Sequence, residues 1–124
     1  MSPPLKLTKN ACNLSMLIVL FAMPTHVSGT CTDSVGTEMA KITAHDIENS
    51  NEQVTMEYFK KKWDEAGINC SLEDLNDTQL ESIATAYDTE YANQTGSMSP
   101  NDGKRKNARI QFLEFLKLRR GGGI

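Results

Sequence analysis

Apolar residues in this chain recur at three- and four-residue spacings between short polar breaks, the period of helices packed along one side. Met39 and Ile42 share a face of a helix predicted over residues 34–45, and Asp46-Ile47-Glu48-Asn49-Ser50-Asn51 then reads as a turn. Met56, Tyr58, Phe59 and Trp63 give the apolar surface of a second helix over residues 55–65, with Lys60, Lys61 and Lys62 mostly outward. Gly67 lies just past its end, where a left-handed residue is favoured. Ser71 suits an N-cap, and Glu73 and Asp74 place acid in the first turn of a third helix. Its stripe is Leu72, Leu75, Leu80, Ile83, Ala84 and Tyr87, with a break at Asn76-Asp77. The polar stretch 88–107, punctuated by Gly96, Pro100 and Gly103, offers nothing for a core. A fourth helix is predicted from Ile110 or Phe112, apolar at Phe112, Phe115, Leu116 and Leu118, and closed by Arg119-Arg120-Gly121 with cations at the negative end of the dipole. The pattern predicts an all-α fold of four helices.

The start of the chain has a different pattern. Lys6 and Lys9 precede a ten-residue apolar run, 14–23, which Pro24 ends and the small residues Val27-Ser28-Gly29 follow. That is the three-part form of a secretory signal peptide over residues 1–29. The run falls short of the ~20 residues a membrane-crossing helix needs. No later segment could span a bilayer, so no membrane insertion is expected once the signal is cleaved. One helical domain is expected over 30–120 and a flexible tail over 121–124. The expected location is secreted, or extracellular.

Export gives the cysteines and sequons their meaning. Cys12 would leave with the signal, so Cys31 and Cys70 remain as an even pair for one disulfide. Closing a loop of that length adds roughly 2–4 kcal/mol. Asn69, Asn76 and Asn93 each open an N-x-S/T sequon. Asn76 and Asn93 are the stronger glycosylation candidates, because Asn69 adjoins Cys70.

Charge divides the exported part unevenly. Residues 30–102 hold 4 Lys/Arg against 15 Asp/Glu, and residues 103–124 hold 7 against 1. An acidic body invites cations, and a basic tail either folds back onto that body or reaches an anionic surface. The plain alternative is a set of solvated faces.

Calcium is the cation such carboxylates suit when a tight loop between two helices presents oxygens at alternating positions and a glutamate at the twelfth. Asp46, Glu48 and Ser50 take the first, third and fifth positions of the segment 46–57, which also contains Glu52, and Glu57 is the twelfth. In a second place, Tyr87-Asp88-Thr89-Glu90 resembles a loop opening, and Ile110-Gln111-Phe112-Leu113-Glu114 its exit, with Glu114 twelfth. Residues 39–118 thus resemble a pair of EF-hands of the calmodulin-like kind. The resemblance implies two helix-loop-helix units, a two-residue β bridge between Val54 and Ile110, and calcium as ligand. Two departures limit what it implies. Asn51 and Gln53 stand where the first loop would carry glycine and an apolar residue, and Asp88 to Glu114 spans 27 residues in place of twelve. At most one weak site is therefore expected, at the first loop.

No enzyme is expected. His45 is the one histidine beyond the signal, and no nucleophile elbow, zinc-protease motif or phosphate loop occurs. The expected function is a binding or interaction module, with an unknown protein partner and no nucleic acid. Two alternatives stay open: a short-chain four-helix cytokine-like signalling protein, and a precursor of small peptides cut at Gly103-Lys104-Arg105 and Arg119-Arg120.

Overall fold

Local chemistry starts each helix. The computed structural model describes residues 29–96 and 103–124, so the signal-peptide segment lies outside the described residues. Helix α1 is Asp33–Glu48, following Thr32 with Asp33 in its first turn. Helix α2 is Met56–Glu65, and its N-cap Thr55 accepts from the Tyr58 amide. Helix α3 is Asp77–Thr95 and begins with a capping box: the Gln79 amide donates to Asn76 Oδ1, and the Asn76 amide donates to Gln79 Oε1, both at 2.8 Å. Helix α4 is Gly103–Arg120. Gly67 closes α2 with φ +72°, and the Ile68 amide reaches back to the Trp63 carbonyl.

Among the described residues the fold is all-helical, with four helices and no strand. Three expectations need correction. Helix α3 starts at the Asn76 cap rather than at Ser71, although Leu72 and Leu75 still reach the core. The polar stretch after Tyr87 is no loop over most of its described length: α3 runs through it to Thr95, and α4 starts at Gly103. Tyr91 and Ala92 on α3 are buried there, and Ala108 on α4 just past it, because a helix needs only one residue per turn to hold a seam. Finally, Val54 and Ile110 form no bridge. Ile110 lies inside α4 at 45% exposure, and the isolated bridge is a parallel one between Thr30 and Ser71.

The core forms around α1 and α3, which run in the same sense: Asp33 meets Ser82, Thr43 meets Tyr87, and Glu48 meets Tyr91. Gly36 sets their distance. A Cβ there would stand 2.1 Å from the Ile83 carbonyl oxygen, so the missing side chain is what lets the backbones touch. Helix α4 packs against α3 and α2. Phe59 of α2, Tyr87 of α3 and Phe112 of α4 meet at one point, with ring centroids 4.6–5.7 Å apart. Trp63 and Phe115 extend this aromatic contact at 5.4 Å. Burying each such ring stabilises the fold by roughly 1.5–3 kcal/mol. The core is therefore continuous across all four helices.

A Cys31–Cys70 disulfide, with Cα atoms 4.9 Å apart, ties the start of α1 to the segment before α3. Beside it the Cys31 amide donates to the Ser71 carbonyl, and the Ser71 amide to the Gly29 carbonyl, each at 2.9 Å. At the other end of the chain, residues 121–124 close α4. The Gly122 amide bonds the Arg119 carbonyl, the Gly123 amide bonds the Leu118 carbonyl, and Ile124 packs against the core.

Candidate functional site

The segment between α1 and α2 is where the sequence placed its calcium candidates. Helix α1 continues through Ile47, whose side chain is buried, so Asp46, Ile47 and Glu48 are helical and the connection is confined to residues 49–55. The Glu48 and Asp46 side chains then face neighbouring helices. Tyr58 of α2 donates its hydroxyl to Asp46 Oδ2 at 2.5 Å, and Tyr91 of α3 donates to Glu48 Oε2 at 2.5 Å. Both are short hydrogen bonds to carboxylates, the stronger kind. Burial pushes the Tyr58 phenol well above its ordinary range, and the hydrogen bond to Asp46 adds to the effect.

The loop carbonyls have a cation of their own. Lys104, in the first turn of α4, places its ammonium 2.8 Å from the Glu48 carbonyl oxygen and 3.0 Å from that of Ser50. One helical turn on, Asn107 donates to the Val54 carbonyl at 3.2 Å. The hydroxyl of Ser50 accepts from the Glu52 amide at 2.9 Å. The side chains of Glu52 and Glu57 are exposed, and Glu57 sits in the first turn of α2, where a negative charge favours the helix dipole. An open depression of about 160 Å³ remains between this loop and α4, lined by Glu52, Gln53, Lys104 and Asn107 among others.

The second group of candidates is dispersed. Asp88, part-buried on α3, takes both bonds of an Arg105 fork, from Nε at 2.8 Å and from Nη2 at 2.9 Å. Glu90 accepts from Gln94 at 2.6 Å and from Asn93 at 3.4 Å, and these bonds hold its carboxyl below the usual range. Glu114 is exposed on α4 beside Met56, Lys117 and Leu118. It lies nine residues along α4 from the Arg105 that holds Asp88, about 13 Å by helix rise, so the two ends of the proposed loop do not meet. No group of three or more His, Cys, Asp or Glu side chains among the described residues stands where it could hold a metal ion.

Tyr58, Tyr91, Lys104 and Asn107 are the residues the sequence reading missed. The roles of Tyr91, Lys104 and Asn107 need α3 and α4 to extend into the polar stretch, and that extension is not visible in an apolar count; Tyr58 was read only as part of the apolar face of α2. Of the sequon residues, Asn69 and Asn93 are exposed, and Asn76 is exposed with its Oδ1 committed to the α3 cap. The one histidine among the described residues, His45, is exposed at the end of α1, and its carbonyl accepts from Asn49.

Comparison with known protein families, with characterised proteins and with solved structures gives no match to this chain. Its function has to be argued from its own residues.

Proposed function

We propose that this chain is an exported, non-enzymatic binding module, a disulfide-tied four-helix body that engages a partner through its surface and does not depend on calcium. The observation that carries the reading is the internal commitment of the groups a calcium loop would use. Asp46 serves Tyr58, Glu48 serves Tyr91, and the carbonyls of Glu48 and Ser50 face the Lys104 ammonium. A divalent ion would have to displace that ammonium and break these bonds to use Asp46, Glu48 or the loop carbonyls, which leaves it the exposed Glu52 and Glu57 alone. On this reading the EF-hand resemblance is one of outline, in which α1, a short loop and α2 keep the spacing and the chain's own lysine supplies the positive charge.

The Cys31–Cys70 disulfide supports export, since such bonds persist in oxidising compartments. A second reading, a small four-helix signalling protein, is favoured by the continuous core that joins Phe59, Tyr87 and Phe112. It differs from the first only in naming the partner a receptor. The peptide-precursor reading is less well supported. Lys104 and Arg105 lie in a helix with their side chains engaged, whereas a processing protease needs extended backbone.

Expression in a secretory cell tests the proposal. The product should appear in the medium with an N-terminus near Thr30, and peptide mapping without reductant should recover Cys31 joined to Cys70. A cell-retained product that still begins at Met1, or two freely alkylated thiols in the native protein, would overturn it.

A further inference from the structure

The fold-back of α4 uses most of its cations internally. Lys104 turns to the 49–55 loop, Arg105 to Asp88, Arg119 to Asp64 at 3.3 Å, and Arg120 to Asp77 at 2.8 Å. Lys106, Arg109 and the half-buried Lys117 are left over, and none of the three makes an ion pair or a side-chain hydrogen bond among the described residues; Lys106 and Arg109 are exposed. Helix geometry puts Arg105, Arg109 and Lys106 within a single arc of about 100° on one side of α4, with Lys104 on the other. Together with Asp88 these three cations line an open depression of about 230 Å³. The Arg105 fork covers the Asp88 carboxylate, so the uncompensated charge of the depression is that of Lys106 and Arg109. Further up the same solvent-facing side come Ile110, Leu113 and Lys117.

We infer that this basic cleft on α4 binds a sulfated polysaccharide chain, with sulfate groups seated between Lys106 and Arg109 against the Arg105 wall. Three features select that ligand class. The Arg109 guanidinium and the Lys106 ammonium grouped at one point suit small, hard oxyanions. Arg105, Lys106 and Arg109 make a compact basic patch of the kind that meets heparin-like polymers, with Lys104 turned away to the 49–55 loop. The rest of the body is strongly acidic, with 15 Asp/Glu against 4 Lys/Arg over residues 30–102. A flat anionic membrane or a nucleic-acid duplex would have to approach those carboxylates as well, whereas a single linear chain can lie along the α4 strip alone.

The inference rests on the proposed export, because sulfated polysaccharides are met outside the cell. The secreted full chain, its N-terminus checked by mass, is therefore titrated with a defined heparin oligosaccharide at physiological ionic strength. Binding should be salt-dependent. The double variant K106A/R109A should weaken it at least about tenfold, while K60A/K61A, which removes the same charge from α2, should change it less than about twofold. All these residues are exposed or half-exposed, and far-UV circular dichroism verifies that each variant keeps its helices. No binding by the wild type, equal weakening in both double variants, or equally tight binding to de-sulfated heparin or to phosphatidylserine vesicles would each overturn the inference. A properly processed, secreted product that ignores heparin would overturn this site and leave the export reading standing.

Discussion

Gly36 controls the central helix crossing through an absent atom. Its place on α1 faces the Ile83 carbonyl and the Tyr87 amide, and a methyl group there would sit 2.1 Å from an oxygen that belongs to rigid backbone. The Gly36→Ala protein should be destabilised by about 1–3 kcal/mol or more, read from its urea midpoint, despite alanine's better helix propensity. A midpoint equal to or above the wild type's would mean that α1 and α3 do not cross there. Seven residues further on, Thr43 is buried yet fully paired, to the Met39 carbonyl at 2.7 Å and to the Tyr87 hydroxyl at 2.8 Å. Lys104 is a different case, because its two carbonyl partners are near water. Lys104→Met should cost only about 1 kcal/mol in a thermal melt, since solvent takes over part of what the ammonium did. No change at all would show that the ammonium does not hold the loop. Neither role could be read from sequence. Gly36 looks like any helix glycine until its neighbour is known, and Lys104 belonged to a stretch read as loop.

The cores of the helices were legible and their ends were not. The stripe from Leu80 to Tyr87 and the Phe112–Leu116 face gave α3 and α4 correctly, because large apolar residues at helical spacing have few other uses. The extensions were hidden because Tyr91 and Ala92 are the only buried residues in the described part of the polar run 88–107, with Ala108 just past it. Cys31 and Cys70 were legible as a pair because they are the only two cysteines after Cys12, which lies in the expected signal peptide. Replacing both by serine should lower stability by roughly 2–4 kcal/mol in denaturant, the cost of freeing a loop of 39 residues. An unchanged midpoint would mean that α1 and the segment before α3 are held together without the disulfide. The tyrosines that join the helices give an alkaline signature. Burial holds the phenols of Tyr58 and Tyr87 well above their ordinary value of 10.0; at Tyr87 the Thr43 hydrogen bond opposes the shift, and at Tyr58 the Asp46 bond reinforces it. Unfolded tyrosine ionises near pH 10 while the folded groups stay neutral, so the stability they contribute is complete below about pH 10 and is lost as pH rises toward their folded values. A spectrophotometric titration should show delayed phenolate formation that coincides with loss of helicity. Phenolate formation of all tyrosines at ordinary pH with helicity intact would contradict the packing.

At the scale of the whole molecule, the division of charge in the sequence becomes a docking of α4 onto the acidic helices, through Asp64, Asp77 and Asp88 and through the loop carbonyls at Glu48 and Ser50. The sequence stated the asymmetry and left two outcomes open, and the structure shows the fold-back. The resemblance to an EF-hand in the sequence has a related origin. Carboxylates at alternating positions between two amphipathic helices are what a calcium loop needs, and they are also what a loop facing tyrosine hydroxyls and a lysine ammonium needs. Composition alone does not separate the two, because Tyr91 and Lys104 come from α3 and α4, more than 40 residues away in sequence, and only Tyr58 is local. The account's central claim is that the chain's own lysine and tyrosines take the place of a metal at this loop. The most direct test is calorimetric titration of the secreted, disulfide-intact protein with calcium into the millimolar range. The account predicts no binding heat and a melting temperature identical in calcium and in chelator; saturable binding heat with a rise in melting temperature, both abolished by Glu57→Gln, would contradict it.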